Sequence, residues 1–198
     1  MKQRIIGFDS ARAYAIFGMF IVNFNFSFGS VMNPTDPLGH FLNIFTGNST
    51  AIFIICAGMG VSIMTNKPDY TNEEKAKLKS KILKRSWFLF ILGLLLYNWW
   101  SGDILHFYGG YMHFAALLIF APKRYLLLGA IIAITIFHIL LFIIPINTGW
   151  DFSTFKYLDF WTPIGFLRNT FYNGWNSMFP WLSYFLVGMW LGRLNRQD

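Results

Sequence analysis

The chain has 198 residues, of which 55% are hydrophobic and only 13% are charged, with a formal net charge of +7. A soluble domain carries charges on about a quarter of its residues, so this composition indicates an integral membrane protein. With a single cysteine, Cys56, the chain has no disulfide framework. Its four histidines are scattered along the sequence and do not suggest a metal site.

Apolar runs predict about six membrane-spanning helices, because a helix needs roughly 20 apolar residues to cross a bilayer. In chain order, the predicted spans are 13–31, 41–64, 82–100, 104–121, 125–144 and 178–194. Neither a repeat nor a linker divides the chain. We therefore expect an all-α integral membrane protein, a bundle of about six transmembrane helices that forms a single domain over 1–198.

The two longer connections each contain the start signal of a helix. In the first, Thr71 and Glu74 have the spacing of a capping box, in which two side chains satisfy backbone N–H groups at a helix N-terminus. In the second, 145–177, Thr162 and Pro163 have the residue types of a cap and a first helical position. This connection is rich in Trp and Tyr, so we expect its helix to lie on the outer membrane face.

The basic residues predict the orientation of the spans. With six spans and a cytoplasmic N-terminus, fourteen of the sixteen basic residues lie inside, and only Lys156 and Arg168 lie outside. Cytoplasmic loops are enriched in Lys and Arg, so we expect a multi-pass protein of the plasma (inner) membrane with both termini in the cytoplasm. The membrane lipid explains the positive charge, and no nucleic-acid partner is needed.

Polar residues near the first span are the first candidates for a site. Asp9 and Arg12 are neighbours on one helix face. They form either an anchoring ion pair or a position where Arg12 meets an anionic ligand. Asn23, in the outer half of the span, either bonds a neighbouring helix or orients a substrate. His40 precedes span two, at the predicted outer mouth near Asn23.

The start of span four contains a second group of candidates. Asp103 and His106 are three residues apart, and a carboxylate partner fixes a histidine's tautomer and suits it to general-base catalysis. His113 lies two turns further along the same face. The alternative is a helix cap at Asp103 with packed, neutral histidines, which we prefer for His113 only. Gly109 and Gly110 allow close helix approach or a local break.

Later polar residues are weaker candidates. His138 is isolated in span five, and we expect it to hydrogen-bond a neighbouring helix. Near the start of span six, four residues either anchor the interface or line a substrate mouth: Asn173, Trp175, Asn176 and Trp181.

Residue chemistry alone leaves several function classes open. Polar groups toward the outer end and a basic inner face fit an enzyme with an anionic cytoplasmic donor. They fit a transporter or flippase for a small polar or lipid-linked substrate equally well. A non-catalytic membrane subunit is a third alternative.

Four segments resemble the transmembrane acyltransferases related to heparan-alpha-glucosaminide N-acetyltransferase, in particular their bacterial relatives. These segments are RIIGFDSARAYAIFGMFIVNFN, AIFIICAGMGVSIM, DILHFYG and NGWNSMFPWLSYFLVGMWLGR. The resemblance implies an acyltransferase that moves an acetyl group from cytoplasmic acetyl-CoA to an extracytoplasmic glycan or other cell-envelope hydroxyl or amine. It implies acyl-CoA as co-substrate and no metal.

The resemblance also implies roles for individual residues. Asn23 matches the family asparagine that closes the first span. His40 approximately matches the histidine of the following connection, at a longer distance. The catalytic histidine is therefore either His40 or His106, with Asp103 as the partner of His106. Asn23 would polarise the thioester carbonyl.

The basic inner face is the expected site for the phosphates of acyl-CoA. The candidate residues are Arg12, Lys84 and Arg85. Positive-inside topology produces the same basic residues without a ligand. Many bacterial relatives continue beyond the equivalent of GRLNRQD with further spans. We therefore expect either a short form or the N-terminal portion of a longer architecture, with a homo-oligomer as a further alternative.

Overall fold

The computed structural model describes residues 6–27, 37–65 and 69–194, and most of them are helical. The helices are α1 Ile6–Ser27, α2 Pro37–Asn43, α3 Asn48–Met64, α4 Asn72–Tyr97, α5 Leu105–Leu118, α6 Lys123–Ile143, α7 Pro163–Arg168 and α8 Met178–Leu194. A short antiparallel hairpin pairs β1 (Trp150–Asp151) with β2 (Lys156–Tyr157), and a π-helical turn, Asn169–Asn173, follows α7. The chain forms two compact units, Met1–Ala57 and Gly58–Asp198.

Two helical stretches of the described residues are long and apolar enough to cross a membrane, Pro37–Met64 and Lys123–Ile143. The prediction of a mostly helical fold is confirmed, but the predicted six spans are not. At 14 and 17 residues, α5 and α8 are shorter than the roughly 20 residues that a span needs. The apolar character of α1 is reduced by Arg12 and Asn23, and that of α4 by its basic first half.

The helix bounds differ from the predicted span bounds at the first two spans. The predicted second span, 41–64, lies within the apolar stretch Pro37–Met64 and contains two helices, α2 and α3, joined by turns that end at Gly47, where φ is 75°. The first helix begins at Ile6, and the predicted end of that span, 28–31, lies outside the described residues.

The helix predicted to start at Thr71 and the third span are one continuous helix, α4. Its predicted capping box is confirmed. The Glu74 N–H donates to Thr71 Oγ1 at 3.2 Å, and the Thr71 N–H donates to Glu74 Oε2 at 2.9 Å. The helix therefore starts with two backbone donors satisfied and runs without a break to Tyr97.

In the first unit, α1 packs against the turn between α2 and α3. Phe45 is 7% exposed and is the centre of this contact. Its ring centroid lies 5.6 Å from that of Tyr14, 6.1 Å from Phe17 and 5.6 Å from Phe41. Aromatic contacts around Phe45 therefore help to hold this unit together.

In the second unit, α4 and α5 approach very closely. A Cβ at Gly109 of α5 would lie 2.6 Å from the Phe90 backbone N and 2.8 Å from the Ser86 carbonyl oxygen. The predicted close approach at this glycine is thus confirmed, and α5 continues through Gly110 without the alternative break. Elsewhere in the unit, the Ser62 hydroxyl of α3 donates to the Met189 carbonyl of α8 at 2.5 Å.

A network of hydrogen bonds between polar side chains stabilises the segment 145–177. Arg168 Nη2 donates to Asp159 at 2.6 Å, and its Nε donates to the Tyr157 hydroxyl at 2.7 Å. Burial raises the pKa of Tyr157, so its hydroxyl stays protonated and donates to Asn173 Oδ1 at 2.7 Å. The predicted helix start is confirmed, because the Gly165 N–H donates to Thr162 Oγ1 at 3.0 Å.

The contact at Gly109 predicts a stability effect. The change Gly109→Ala pushes α5 away from the α4 backbone, because neither Phe90 nor Ser86 is able to move its main chain aside. We expect a loss of about 1–3 kcal/mol in the free energy of unfolding, measured by denaturant titration of the purified protein in detergent. Gly7→Ala is the control, since nothing lies within 4 Å of an added Cβ there. Equal stability of the two variants contradicts the prediction.

Candidate active site

A buried carboxylate–histidine pair lies where α5 begins. The Asp103 carboxylate accepts the Leu105 N–H at 3.0 Å and the His106 N–H at 3.1 Å, which satisfies two donors of the helix N-terminus. The same Oδ2 lies 3.0 Å from His106 Nδ1. The predicted pair is therefore present, and Asp103, one residue before the N-cap Ile104, also satisfies the first N–H groups of the helix. Gly93 of α4 makes room for it, since a Cβ there would lie 2.6 Å from Asp103 Oδ2.

His106 is fully buried and surrounded by aromatic rings. Its ring centroid lies 3.8 Å from that of Phe107, 5.5 Å from Tyr97, 6.0 Å from Phe160 and 6.4 Å from Phe90. Its Nε2 has no hydrogen-bond partner among the described residues. With the proton held at Nδ1 by the carboxylate, Nε2 presents a lone pair, which is the arrangement of a general base.

His113 shares the face of α5 that carries His106, as predicted. Both rings contact Phe90 of α4, with centroids 6.2 Å and 6.4 Å away. His113 Nδ1 contacts the Ser86 hydroxyl and lies 3.1 Å from the Gly109 carbonyl oxygen. Its Nε2 is also without a partner in the described part of the chain. These packed contacts support the structural role for His113.

Sequence reasoning missed two residues of this cluster, Tyr97 and Asn169. The Tyr97 ring stacks on Phe160 with centroids 3.7 Å apart and meets His106 edge to face. Its hydroxyl accepts a hydrogen bond from Asn169 Nδ2 at 3.3 Å. The Asn169 Oδ1 is buried and has no partner within the described ranges. Asn169 opens a π-helical turn, a local irregularity that is frequent at functional sites.

Two polar side chains expected to bond a neighbouring helix bond their own helix instead. Asn23 Nδ2 donates to the Met19 carbonyl at 2.9 Å, and His138 Nδ1 lies 2.7 Å from the Ile134 carbonyl oxygen. Both side chains belong to exposed residues, where the carbonyl four positions earlier is the nearest acceptor. The prediction for His138 was therefore wrong. For Asn23 this bond still leaves the amide oxygen as a candidate group.

The other candidates of the first unit are exposed. The Arg12 guanidinium lies 5.5 Å from the centroid of the Phe8 ring, and His40 lies on the short helix α2. These residues and Asn23 belong to the first unit, whereas Asp103 and His106 belong to the second. Within the second unit, Asp103 and His106 are in direct contact.

The basic half of α4 borders an open hollow of about 570 Å³. Lys84 lines it, while Arg85 is exposed nearby on the same helix. The remaining lining residues are Glu73, Ala76, Lys77, Ser80 and Lys81. In the described part of the chain, no group of three or more His, Cys, Asp or Glu residues could hold a metal ion.

A second cavity, of about 320 Å³, is bordered by aromatic side chains. Asn173, Trp175 and Trp181 line it, as the substrate-mouth alternative expected. Asn176 differs, because it is buried and its carbonyl accepts a hydrogen bond from the Tyr111 hydroxyl.

The fold and the cluster together define a mostly helical protein with apolar, membrane-length helices and a buried Asp–His pair. A family model, "Heparan-alpha-glucosaminide N-acetyltransferase, catalytic", matches residues 4–198. The chain belongs to this family, which confirms the sequence resemblance. No curated protein and no solved structure matches the chain. The family is one of membrane acetyltransferases that use acetyl-CoA, and the comparisons give no support to the transporter alternative.

The geometry of the pair predicts the tautomer of His106. We expect neutral His106 to carry its proton on Nδ1, because the Asp103 carboxylate accepts from that atom. The Asp103→Ala change removes this preference, and ¹⁵N NMR of histidine-labelled protein measures it. His138, whose Nδ1 faces its own helix carbonyl, is the internal control and keeps its tautomer. A wild-type His106 with the proton on Nε2 contradicts the prediction.

Proposed function

We propose that this protein is a membrane-bound acetyltransferase. It moves an acetyl group from cytoplasmic acetyl-CoA to a hydroxyl or amine of a glycan or other cell-envelope acceptor on the opposite side. The observation that carries the proposal is the buried Asp103–His106 pair, in which Nδ1 is held at 3.0 Å and Nε2 has no described partner. Membership of the acetyltransferase family supports acyl transfer as the reaction.

In the proposed reaction, His106 Nε2 accepts a proton from the acceptor as its nitrogen or oxygen attacks the thioester carbonyl carbon. The Asp103 carboxylate stabilises the imidazolium that results. The carbon–sulfur bond then breaks, and the departing CoA thiolate takes the proton from His106. A route in which Nε2 itself carries the acetyl group is the alternative.

Two residues of the first unit complete the proposal. The Asn23 amide is assigned to the thioester carbonyl, where a polar group stabilises the charge that develops during attack. His40 is the competing catalytic histidine. Its exposure contrasts with the complete burial of His106, and burial excludes the water that would otherwise hydrolyse the thioester. The proposal therefore gives His106 the catalytic role.

We assign the phosphates of acyl-CoA to Arg12, Lys84 and Arg85. The hollow beside Lys84, with two further lysines along the same helix face, supports this part of the proposal. Several cations near one another bind a polyanion more strongly than each does alone.

The proposed topology is the multi-pass arrangement with six spans in the plasma (inner) membrane and both termini in the cytoplasm. Its support is the concentration of basic residues on α4 and of Trp and Tyr in 145–177. Helix α7 then lies at the outer face. The single-domain organisation, contact with membrane lipid and a homo-oligomer belong to the same proposal.

The change His106→Gln tests the catalytic assignment. We expect a loss of at least about 100-fold in kcat for acetyl transfer from radiolabelled acetyl-CoA to methyl α-D-glucosaminide. The loss follows from removal of the base, since glutamine fills a similar volume without accepting the proton. His138→Gln is the matched control and retains activity, because His138 is exposed and bonds only its own helix. Loss of activity in His40→Gln but not in His106→Gln would overturn the assignment.

A second variant tests the donor site. We expect Lys84→Gln combined with Arg85→Gln to raise the KM for acetyl-CoA by about tenfold, because two phosphate contacts are lost. The acceptor KM stays unchanged. Lys156→Gln is the control, since this exposed lysine belongs to the segment assigned to the other membrane face. An unchanged KM for acetyl-CoA removes these two residues from the proposal.

A further inference from the structure

We propose that Asn169 is a second acceptor-binding residue, which acts beside His106, and that Tyr97 positions it. This inference rests on the proposed acetyl transfer. It adds to that proposal a residue of the segment 145–177, whose place in the site no sequence pattern indicated.

The first observation is the state of the Asn169 side chain. It is fully buried, and its Nδ2 donates a hydrogen bond to the Tyr97 hydroxyl at 3.3 Å. Its main-chain carbonyl accepts the Gly174 N–H at 2.8 Å. Only Oδ1 has no described partner. Buried polar atoms without partners are rare in folded proteins, and a bound ligand, water or ion is one explanation for such an atom.

The second observation is the link to His106 through one side chain. The Tyr97 hydroxyl contacts Asn169, and the Tyr97 ring meets the His106 ring edge to face at 5.5 Å. Phe160 stacks on Tyr97 and also lies 6.0 Å from His106. Two unpartnered atoms, Asn169 Oδ1 and His106 Nε2, therefore belong to residues that contact the same tyrosine.

The third observation is the glycine that packs directly against Asn169. A Cβ at Gly174 would lie 2.7 Å from Asn169 Oδ1 and 2.6 Å from Phe107 Cζ. The Phe107 ring in turn packs against His106 at 3.8 Å between centroids. A glycine at 174 thus keeps side-chain atoms away from Oδ1.

The chemistry of the two atoms identifies the ligand that they fit. Both present lone pairs, since the His106 proton is held at Nδ1. A thioester carbonyl also offers only lone pairs, so it cannot donate a hydrogen bond to either atom. An amine or a hydroxyl has N–H or O–H groups that can donate to them. Asn169 therefore orients the nucleophilic group of the acceptor, or a hydroxyl beside it, while His106 takes the proton.

Asn173 provides an internal contrast within the same π-helical turn. Its Oδ1 accepts from Tyr157, and its Nδ2 donates to the carbonyls of Ile146 and Thr148 at 2.9 and 2.7 Å. Every polar atom of that amide is used by the protein. Asn173 therefore has a structural role, whereas Asn169 has one oxygen, Oδ1, left for a ligand.

The test compares Asn169→Leu, Asn169→Asp and the control Asn98→Leu, whose exposed amide bonds only its own helix. The probes are methyl α-D-glucosaminide and acetyl-CoA, with the purified protein in lipid nanodiscs. We expect Asn169→Leu to raise the acceptor KM by about tenfold, the value of one hydrogen bond, with the acetyl-CoA KM unchanged. Asn169→Asp keeps an acceptor oxygen and restores most of the affinity.

An acceptor KM that is unchanged in folded Asn169→Leu overturns the inference, as does an equal rise in both KM values. If Asn169→Leu does not fold, Tyr97→Phe decides, because it frees the Asn169 amide without removing it. A raised acceptor KM in that variant supports the assignment, and an unchanged one overturns it. If the wild-type protein transfers no acetyl group, the proposed function fails and the Asn169 assignment fails with it.

Discussion

The Asp103 carboxylate is the interaction on which the local fold and the proposed chemistry both depend. Its two oxygens accept two main-chain N–H groups of α5, and one of them also faces the imidazole of His106. Each such group left buried and unpaired costs about 1–3 kcal/mol. The residue that starts the helix therefore also sets the orientation of the histidine, so the helix end and the base form as one unit.

The rest of the second unit shields the Asp103–His106 pair from water. Gly93 of α4 and Gly109 of α5 allow the two helices to approach until their backbones touch. The segment 145–177 then places Phe160 and Asn169 against Tyr97. Its ion pair and tyrosine network hold that segment in place. Burial of the histidine is thus the combined result of two helices and one long connection.

The features predicted from the sequence are those set by neighbouring residues. The capping box at Thr71, the start of α7 and the Asp103–His106 pair each involve residues three or fewer positions apart. The contact between Tyr97 and Asn169 joins residues 72 positions apart, and no periodic pattern encodes it. Hydropathy also overestimated the spans, since the apolar runs do not reveal that α5 has only 14 residues and α8 only 17. Asn23 and His40 were predicted from their places beside the outer mouth and from the family resemblance.

The unbroken helix α4 runs from the basic residues to the side of the buried pair. It therefore fixes the distance between the two. Thirteen residues separate Lys84 from Tyr97, which is about 20 Å of helix axis at 1.5 Å per residue. In the proposed function, a donor whose phosphates lie near Lys84 therefore delivers its thioester to His106 only if its own linker is extended and of comparable length. Because α4 contains no hinge in this stretch, the protein has no local means of shortening that distance. In that proposal, α4 selects donors by the length of their linker as well as by their charge.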